Sequence, residues 1–488
     1  MLNNRTFLIS FLLFSSVLIF LGRQLDVGLP NFDDAYYAQK AKEMLASGNL
    51  WVVTHHGVPD FANPPFPFWM TALAFWLFGV SGYAAVFFSA LFGVGTVYLT
   101  YLLCLHLFKD PWTAFFSAFV LLFPGMFADS ARRAMVDITL AFCVTAAMFF
   151  FVKAQENRRF YLLYGIMTAL GILTKSILGL FPLMIGFAVL LWTRNWKELF
   201  NTTLWAGVSI ALIFGFSWHG VNWFVLGDDF LKTHFGVLLF NRGFSGTGGS
   251  FYFLGYARDF AKNYWPWLPF AVVGLVKFGK RAFVEKDFSS LLVLTWIAVV
   301  FLVMSTSKNQ TLRYLFMIFP ALAIVTAKTI ADGLQEKTRE RWTPYALGLI
   351  LVAVLFVNVT PFQVKVMLSP NSVEVRQLAA VIHLNTPRDQ RVGNYRLSMY
   401  NPRQALLFYS ERYLDDPVGD PSVLLEQMKK RPGSTWLTPV SEFNRLKQAY
   451  SGKFYLIQAN GRYAYFTSAG NRENIRYDFS GMSLPLVR

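Results

Sequence analysis

Long apolar runs recur along the first three quarters of the chain, and short polar stretches separate them. A run of about 18 or more apolar residues is long enough to cross the ~30 Å hydrocarbon core of a bilayer as a helix. The pattern therefore predicts an α-helical polytopic membrane protein with about 11, and up to 13, spans. The predicted spans are 6–24, 83–107, 111–128, 137–153, 160–174, 177–193, 202–225, 263–278, 288–305, 312–331 and 344–361.

The connections between these runs predict the topology. Several of them are short and rich in Lys and Arg, namely 153–159, 194–197, 277–286 and 328–341. Because basic residues are retained on the cytoplasmic side of a membrane, we place these connections and the N-terminus in the cytoplasm. An odd number of spans then places the C-terminal segment outside.

The first long outer connection, 25–82, carries helical signals of its own. A helix is predicted to begin at Asp33 or Asp34 and to end at Gly48. Its apolar positions recur at helical spacing and its polar residues, including Lys40, lie elsewhere, which is typical of a helix in the membrane interface. A short apolar helix, Phe66–Phe78, follows two prolines. The second long outer connection, 226–262, holds a glycine-rich loop at 243–250 without the Lys and Ser or Thr of a phosphate-binding P-loop.

The composition changes near Phe362, where apolar residues become fewer and Asp, Arg, Pro and Asn become more frequent. We therefore divide the chain into a membrane domain, 1–361, and a small C-terminal α/β domain outside the cytoplasm, 362–488. The elements predicted in the second domain are helices at 373–384 and 422–430 and strands at 391–395, 435–438, 454–459 and 463–467.

Composition and charge agree with a membrane protein. Hydrophobic residues make up 55% of the chain and charged residues only 15%, a balance that excludes an ordinary soluble protein. The net charge of +16 fits basic residues that flank spans, and no nucleic-acid-binding motif accompanies it, so nucleic acid is not an expected partner. Cys104 and Cys143 fall inside apolar runs at no metal-binding spacing, and we predict no metal or other cofactor.

Adjacent carboxylates, Asp33 and Asp34, form the densest acidic signal. One interpretation is a helix N-cap, where Asp satisfies free backbone amides. The other is a pair of carboxylates at the membrane surface that position or deprotonate an acceptor. An N-cap uses only one of the two carboxylates, so the presence of both keeps the catalytic interpretation open.

Cations cluster at the predicted outer ends of other spans. Arg132 precedes Asp137, and this arrangement suits either a basic side chain that reaches the interface or a phosphate site held by a carboxylate. Lys175 lies between two apolar runs with no acidic neighbour in sequence, which makes it a functional candidate by default. Lys308 and Arg313, with Tyr314, lie on the side where basic residues are disfavoured.

Outer-face cations and carboxylates suit a pocket for a phosphate-bearing lipid and a sugar. A lipid-linked glycan flippase or transporter is an alternative, although such proteins carry ionisable residues near the midplane within repeated helices, and we find no internal repeat. A third alternative is a binding protein whose C-terminal domain is the functional part and whose spans are anchors.

The same motifs, in the same order, resemble those of the GT-C glycosyltransferases. The branch most similar holds the protein O-mannosyltransferases and the aminoarabinose lipid A transferases. The residues that carry the resemblance run from Asp33-Asp34-Ala35-Tyr36-Tyr37-Ala38 to Glu43-Met44, Gly48 and Trp51, and continue with Asn63-Pro64-Pro65, Trp69, Phe78-Gly79, Arg132, Met135-Val136-Asp137, Gly171 to Lys175, Asn241-Arg242-Gly243-Phe244, Lys308, Arg313-Tyr314, Pro320 and Phe408 to Arg412.

This resemblance implies an enzyme of a bacterial inner membrane that transfers a sugar from a polyprenyl-phosphate donor to an envelope acceptor, which is lipid A, a glycan or a protein. It implies catalytic roles for Asp33, Asp34 and Asp137. The residues implied to bind the lipid phosphate or the sugar are Tyr37, Asn63, Arg132, Lys175, Arg242, Lys308, Arg313 and Tyr314.

Three departures from the family pattern bear on the substrate. Asp34 replaces a Glu, and Asn63 replaces a Lys, which removes one expected phosphate contact. Ala62 and Leu239 lie where the lipid A branch carries Glu and His residues that suit a metal, so we carry over no metal site. These departures weaken the assignment to aminoarabinose transfer more than the assignment to the family.

Overall fold

A computed structural model describes residues 5–22, 29, 32–123, 125–241, 253–307, 310–359, 370–397 and 403–477. The chain is mostly helical. The α-helices are Arg5–Leu21, Phe32–Ser47, Phe66–Phe78, Gly82–Phe108, Pro111–Leu122, Gly125–Ala131, Val136–Ala154, Phe160–Lys175, Phe181–Trp192, Trp196–Leu199, Thr202–Gly215, Ser217–Leu226, Asp228–Leu231, Phe253–Asn263, Leu268–Phe283, Phe288–Ser305, Phe319–Gly333, Glu336–Val359, Pro370–Asn385, Arg403–Ser410, Pro421–Lys430 and Val440–Ala449. Tighter or wider helical turns cover Ser176–Leu180, Lys232–Asn241, Leu312–Ile318 and Ala469–Asn474.

Seven helical stretches within the described residues are long and apolar enough to cross a membrane, or eight if a bent pair counts as one span. The predicted number of 11 to 13 spans is therefore not confirmed. Predicted spans 160–174 and 177–193 belong to one stretch of 33 residues, Phe160–Trp192. Predicted span 111–128 is two helices that meet at 77°, and the helices Arg5–Leu21 and Leu268–Phe283 have only 17 and 16 residues. Apolar runs alone do not reveal these breaks and joins.

The helices predicted in the first outer connection are confirmed. One covers Phe32–Ser47 and ends at Gly48, whose φ of 68° is a left-handed conformation that favours glycine. The other covers Phe66–Phe78 and begins directly after Pro65. Asp33 and Asp34 lie in the first helical turn, so neither occupies the N-cap position predicted as one alternative.

Protein covers the first of these helices on its polar side as well as its apolar side. Lys40 is fully buried, and its Nζ atom lies 2.8 Å from Oδ1 of Asp60. Glu43 is also buried and accepts hydrogen bonds from the backbone amides of His56 and Gly57. The segment around Asp60 therefore folds back over the polar side of this helix.

The helices Phe160–Lys175 and Thr202–Gly215 pack with their backbones in close contact. Gly165 of Phe160–Lys175 lies against the backbone of Gly207 in Thr202–Gly215, with no room for a Cβ atom. The helix Val136–Ala154 packs on another side of Phe160–Lys175. This packing brings the first turn of Val136–Ala154 near the last turn of Phe160–Lys175.

The C-terminal segment contains a four-stranded sheet. Its strands, in spatial order, are Gly393–Asn394, Thr435–Pro439, Tyr463–Ser468 and Phe454–Ala459. The first pair is parallel and the other two are antiparallel. Three strands agree with the prediction to within one residue, while the strand predicted at 391–395 shrinks to two residues. The predicted domain boundary at 361 and 362 falls outside the described residues and remains a prediction.

Candidate functional site

A cavity of about 340 Å³ lies between the helix Phe32–Ser47, the loop that carries Asn63 and the ends of several further helices. Seven of the residues singled out from the sequence line it, although they are scattered over more than half of the chain. They are Asp33, Tyr37, Asn63, Asp137, Lys175, Arg313 and Tyr314. The remaining lining residues are Ala62, Ser176, Ile177, Leu178, His234, Leu238, Val303, Met304, Thr306 and Ser307.

Two ion pairs organise the charges of this cavity. Nη1 of Arg313 lies 2.6 Å from Oδ2 of Asp33, and Nζ of Lys175 lies 2.5 Å from Oδ1 of Asp137. Both carboxylates belong to the first turn of a helix and Lys175 to the last turn of one, positions that the helix dipole favours for these charges. The two cations are therefore held at fixed positions on the cavity wall.

Aromatic and amide groups complete the polar wall. Nζ of Lys175 lies 4.4 Å from the centre of the Tyr314 ring, a cation–π contact that shields the ammonium on that side. Burial, with Asp137 and Asp33 nearby, raises the pKa of Tyr37 well above its usual range, so its hydroxyl keeps its proton. Asn63 is buried and presents amide donors to the same space.

A hydrogen-bonded chain that the sequence analysis missed adjoins Lys175. Oγ of Ser176 lies 2.9 Å from Nε2 of His219 and 3.1 Å from Nε2 of His234. Nδ1 of His234 lies 2.6 Å from the carbonyl oxygen of Phe61. Burial lowers the pKa of His234, so its imidazole is neutral near pH 7. Ser176 directly follows the lysine motif, so its position in the sequence could have indicated it as a site residue. Nothing in the local sequence distinguishes His234.

The other candidates lie elsewhere. Asp34 is fully buried in the helix Phe32–Ser47 and does not line the cavity. Arg132 is buried and donates to the backbone carbonyl groups of Ile19 and Gly22, the latter at 2.9 Å, so it holds the end of the helix Arg5–Leu21. Arg242 and Lys308 lie outside the described residues.

A second layer of contacts supports the cavity wall from outside. Oδ1 of Asp60 accepts the backbone amide of Ala62 at 2.9 Å and the Nζ of Lys40 at 2.8 Å. Its other oxygen accepts the hydroxyl of Tyr36. This partly buried carboxylate therefore ties the loop before Asn63 to the helix that carries Asp33.

The C-terminal segment also holds that helix. Nζ of Lys42 lies 3.0 Å from Oε1 of Glu411 and donates to the carbonyl oxygen of Phe408 at 2.9 Å. Nε2 of His55 lies 2.7 Å from Oε1 of Gln404. The helix Arg403–Ser410 thus packs on the far end of the helix whose first turn carries Asp33.

Within the described residues, no group of three or more His, Cys, Asp or Glu side chains is arranged to hold a metal ion. The charged groups of the cavity instead suit an anion. A phosphate group in the cavity would lie near an ammonium, a guanidinium and neutral hydrogen-bond donors. Together these groups can stabilise negative charge that develops on a phosphate oxygen.

Comparison with known proteins finds similarity to the family that the motifs resemble. Residues 6–237 match the family described as dolichyl-phosphate-mannose-protein mannosyltransferase. The undecaprenyl phosphate-alpha-4-amino-4-deoxy-L-arabinose arabinosyl transferase of Edwardsiella ictaluri is 28% identical over 322 residues, which are 60% of this chain and 54% of that protein. The match thus spans just over half the length of that relative.

Solved structures show the same fold. ArnT from Cupriavidus metallidurans, in a crystal structure bound to undecaprenyl phosphate, matches with a TM-score of 0.72 over 94% of this chain and 98% of that chain, at 18% identity. The archaeal oligosaccharyltransferase AglB from Archaeoglobus fulgidus, in complex with an inhibitory peptide and a dolichol-phosphate, matches with a TM-score of 0.57 over 96% and 74%, at 14% identity. The resemblance to GT-C glycosyltransferases of the mannosyltransferase and aminoarabinose transferase branch is confirmed.

Proposed function

We propose that this protein is an integral-membrane glycosyltransferase that moves a sugar from a polyprenyl-phosphate donor to an acceptor of the bacterial envelope. The observation that carries the proposal is the cavity in which Lys175 and Arg313 are each held by a carboxylate. The names of the relatives, with undecaprenyl phosphate or dolichol-phosphate as donor or ligand, support a polyprenyl phosphate as the carrier.

In the proposed reaction, the acceptor oxygen forms a bond to the anomeric carbon while the bond from that carbon to the phosphate oxygen breaks. The bonding electrons leave with the polyprenyl phosphate, which gains negative charge. Lys175 and Arg313 stabilise that charge, and Tyr314 donates a hydrogen bond to the phosphate. Because monophosphate charge can be balanced by these side chains, the proposal invokes no metal.

Asp33 is the proposed catalytic carboxylate. It takes the proton of a hydroxyl acceptor, whereas an acceptor that is already an anionic phosphate needs only to be oriented. Asp137 assists by holding Lys175, and Tyr37 and Asn63 bind the sugar or phosphate. Arg242 and Lys308 remain candidate phosphate ligands on the resemblance alone. The burial of Asp34 and the backbone contacts of Arg132 favour supporting roles for these two residues.

The proposal includes a topology. The catalytic part, 1–361, opens to the outer face of the inner membrane, and the C-terminal part, 362–488, lies on the same side. The basic connections predicted to be cytoplasmic support this orientation. A reporter that is active only outside the cytoplasm, fused after Arg488, should be active, and the same reporter placed in 277–286 should be silent.

Mass spectrometry of envelope lipids, glycans and glycoproteins from a deletion strain tests the function and identifies the acceptor. We expect one sugar residue to be missing from one of these classes. The wild-type gene and an Asp229→Asn control, which changes an exposed carboxylate of the outer segment, should restore it. Asp33→Asn should not. An unchanged envelope in the deletion strain would exclude the proposed transfer.

A further inference from the structure

Ser176 occupies an unusual position in the backbone. It follows Lys175 at the break between two helices, with φ 50° and ψ −128°, a conformation that a residue with a Cβ atom rarely adopts. Its side chain is buried, and the residue lines the cavity beside Lys175. The fold therefore holds a hydroxyl group at the point where the lysine enters the cavity.

The hydrogen bonds around this hydroxyl have a definite direction. The carbonyl oxygen of Phe61 can only accept, so Nδ1 of His234 carries a hydrogen. Nε2 of the neutral His234 ring is then an acceptor, and the Ser176 hydroxyl donates to it. The remaining contact is a donation from Nε2 of His219 to Oγ of Ser176.

We infer that the Ser176 hydroxyl is a third ligand of the carrier phosphate, beside Lys175 and Arg313, and that His219 and His234 are its positioning residues. The inference rests on the proposed function. When the phosphate arrives, the hydroxyl hydrogen turns from His234 to a phosphate oxygen. The donation from His219 polarises the hydroxyl and strengthens that new bond. A neutral donor adds this contact without repelling the two cations.

A purely structural role for Ser176 gives a different expectation. A hydroxyl that only satisfies two buried rings affects thermal stability and leaves phosphate affinity unchanged. A hydroxyl that binds the phosphate contributes to the affinity for polyprenyl phosphate, and its removal leaves the affinity for the uncharged polyprenol unchanged. Comparison of undecaprenyl phosphate with undecaprenol therefore separates the two roles.

Two variants of the purified full-length protein test the inference. Ser176→Ala removes the hydroxyl, while its Cβ atom meets the same backbone constraint as that of serine, and affinity for undecaprenyl phosphate should fall about tenfold or more. The matched control is Thr174→Val, because the Thr174 hydroxyl is buried nearby and donates to its own helix at Leu170, away from the cavity.

The outcomes distinguish the inference from the proposed function. Wild-type protein that binds undecaprenyl phosphate no better than undecaprenol contradicts the proposed function. Wild-type protein that prefers the phosphate, with Ser176→Ala equal to it, overturns the inference alone. If Ser176→Ala does not fold, His219→Phe keeps the ring and removes the donor to Ser176; a selective loss of phosphate affinity then supports the inference, and an unchanged affinity overturns it.

Discussion

The Nζ atom of Lys175 and the Oδ1 atom of Asp137 lie 2.5 Å apart, although 38 positions separate the two residues in the chain. Their side chains are only 15% and 5% exposed. No acidic residue lies near this lysine along the chain, and the structure supplies one from the adjacent helix. A phosphate that binds Lys175 therefore does so in the presence of an existing counter-ion, because the cation is already paired with a carboxylate of the cavity wall.

Lys175→Met should destabilise the protein, because it leaves the buried carboxylate of Asp137 without its cation. Breaking a buried pair from one side costs about 3 kcal/mol or more. The double variant Lys175→Met with Asp137→Asn should regain much of that loss, since neither charge remains. Melting temperatures of the purified proteins measure both effects. A single variant as stable as wild type would show that the pair contributes nothing to the fold.

Asp33→Asn should lower the rate of sugar transfer about 100-fold or more by removal of the carboxylate that orients or deprotonates the acceptor. Stability should change by less than about 1 kcal/mol, because Asp33 and Arg313 are each about 30% exposed and such pairs contribute little. Transfer assays and melting temperatures on the same preparation test this. A wild-type rate would exclude a catalytic role for Asp33.

Stability should depend on pH through His55. Burial, with Lys40 nearby, lowers the pKa of this imidazole from its ordinary value of 6.5. Below about pH 6.5 the unfolded chain takes up a proton that the folded protein does not, so the free energy of unfolding falls with falling pH. His55→Gln removes this titration and keeps an amide donor for Gln404.

The measurement is the melting temperature at about pH 8 and about pH 5.5 for wild type and His55→Gln. The difference between the two pH values should be smaller for the variant. An equal difference in both proteins would mean that other groups account for the pH dependence.

Lys42→Met should weaken the contact between the helix Phe32–Ser47 and the C-terminal segment. It removes the pair with Glu411 and the hydrogen bond to the Phe408 carbonyl, with an expected loss of about 1–2 kcal/mol. Lys430→Met is the matched control, because Lys430 pairs with Glu426 at an exposed position and should cost less than about 0.5 kcal/mol. Thermal unfolding compares the two, and equal losses would rule out a specific contribution from Lys42.

Gly165→Ala should be strongly destabilising, since the new methyl group would meet the backbone of Gly207 and the two helices would have to separate. Overpacking of this kind costs about 1–3 kcal/mol or more. Gly220→Ala is the control, because open space surrounds that position and the change should leave stability equal or raised by up to about 1 kcal/mol. The yield of folded protein after detergent extraction, with its melting temperature, gives the comparison.

Local signals were sufficient where the structure is local. The end of the helix Phe32–Ser47 before Gly48 and the strand Phe454–Ala459 follow from residue types and spacing that the sequence displays, whereas the predicted N-cap at Asp33 or Asp34 is wrong because the helix begins at Phe32. The partners of charged residues were not predictable in this way. Asp60, 20 positions after Lys40, folds back to pair with it, and helical periodicity alone cannot show such a contact.

The cavity shows the same division. Family motifs named Asp33, Asp137, Lys175 and Arg313, but the pairing among them depends on how helices pack, which no local pattern encodes. His234 was missed because it comes from a segment without a motif. Ser176 lay next to a motif, yet its importance depends on two rings that reach it from 43 and 58 positions away.

The helix Phe32–Ser47 is shared between two regions, with Asp33 in its first turn and Lys42 against the C-terminal segment. Two regions joined in this manner cannot diverge independently during evolution. Among homologues, the residues at positions 42 and 411 should change together, with a reversal of charge at one accompanied by a reversal at the other. A chimera that combines residues 1–361 with the C-terminal segment of a distant relative should therefore be impaired in catalysis until that contact is also transplanted.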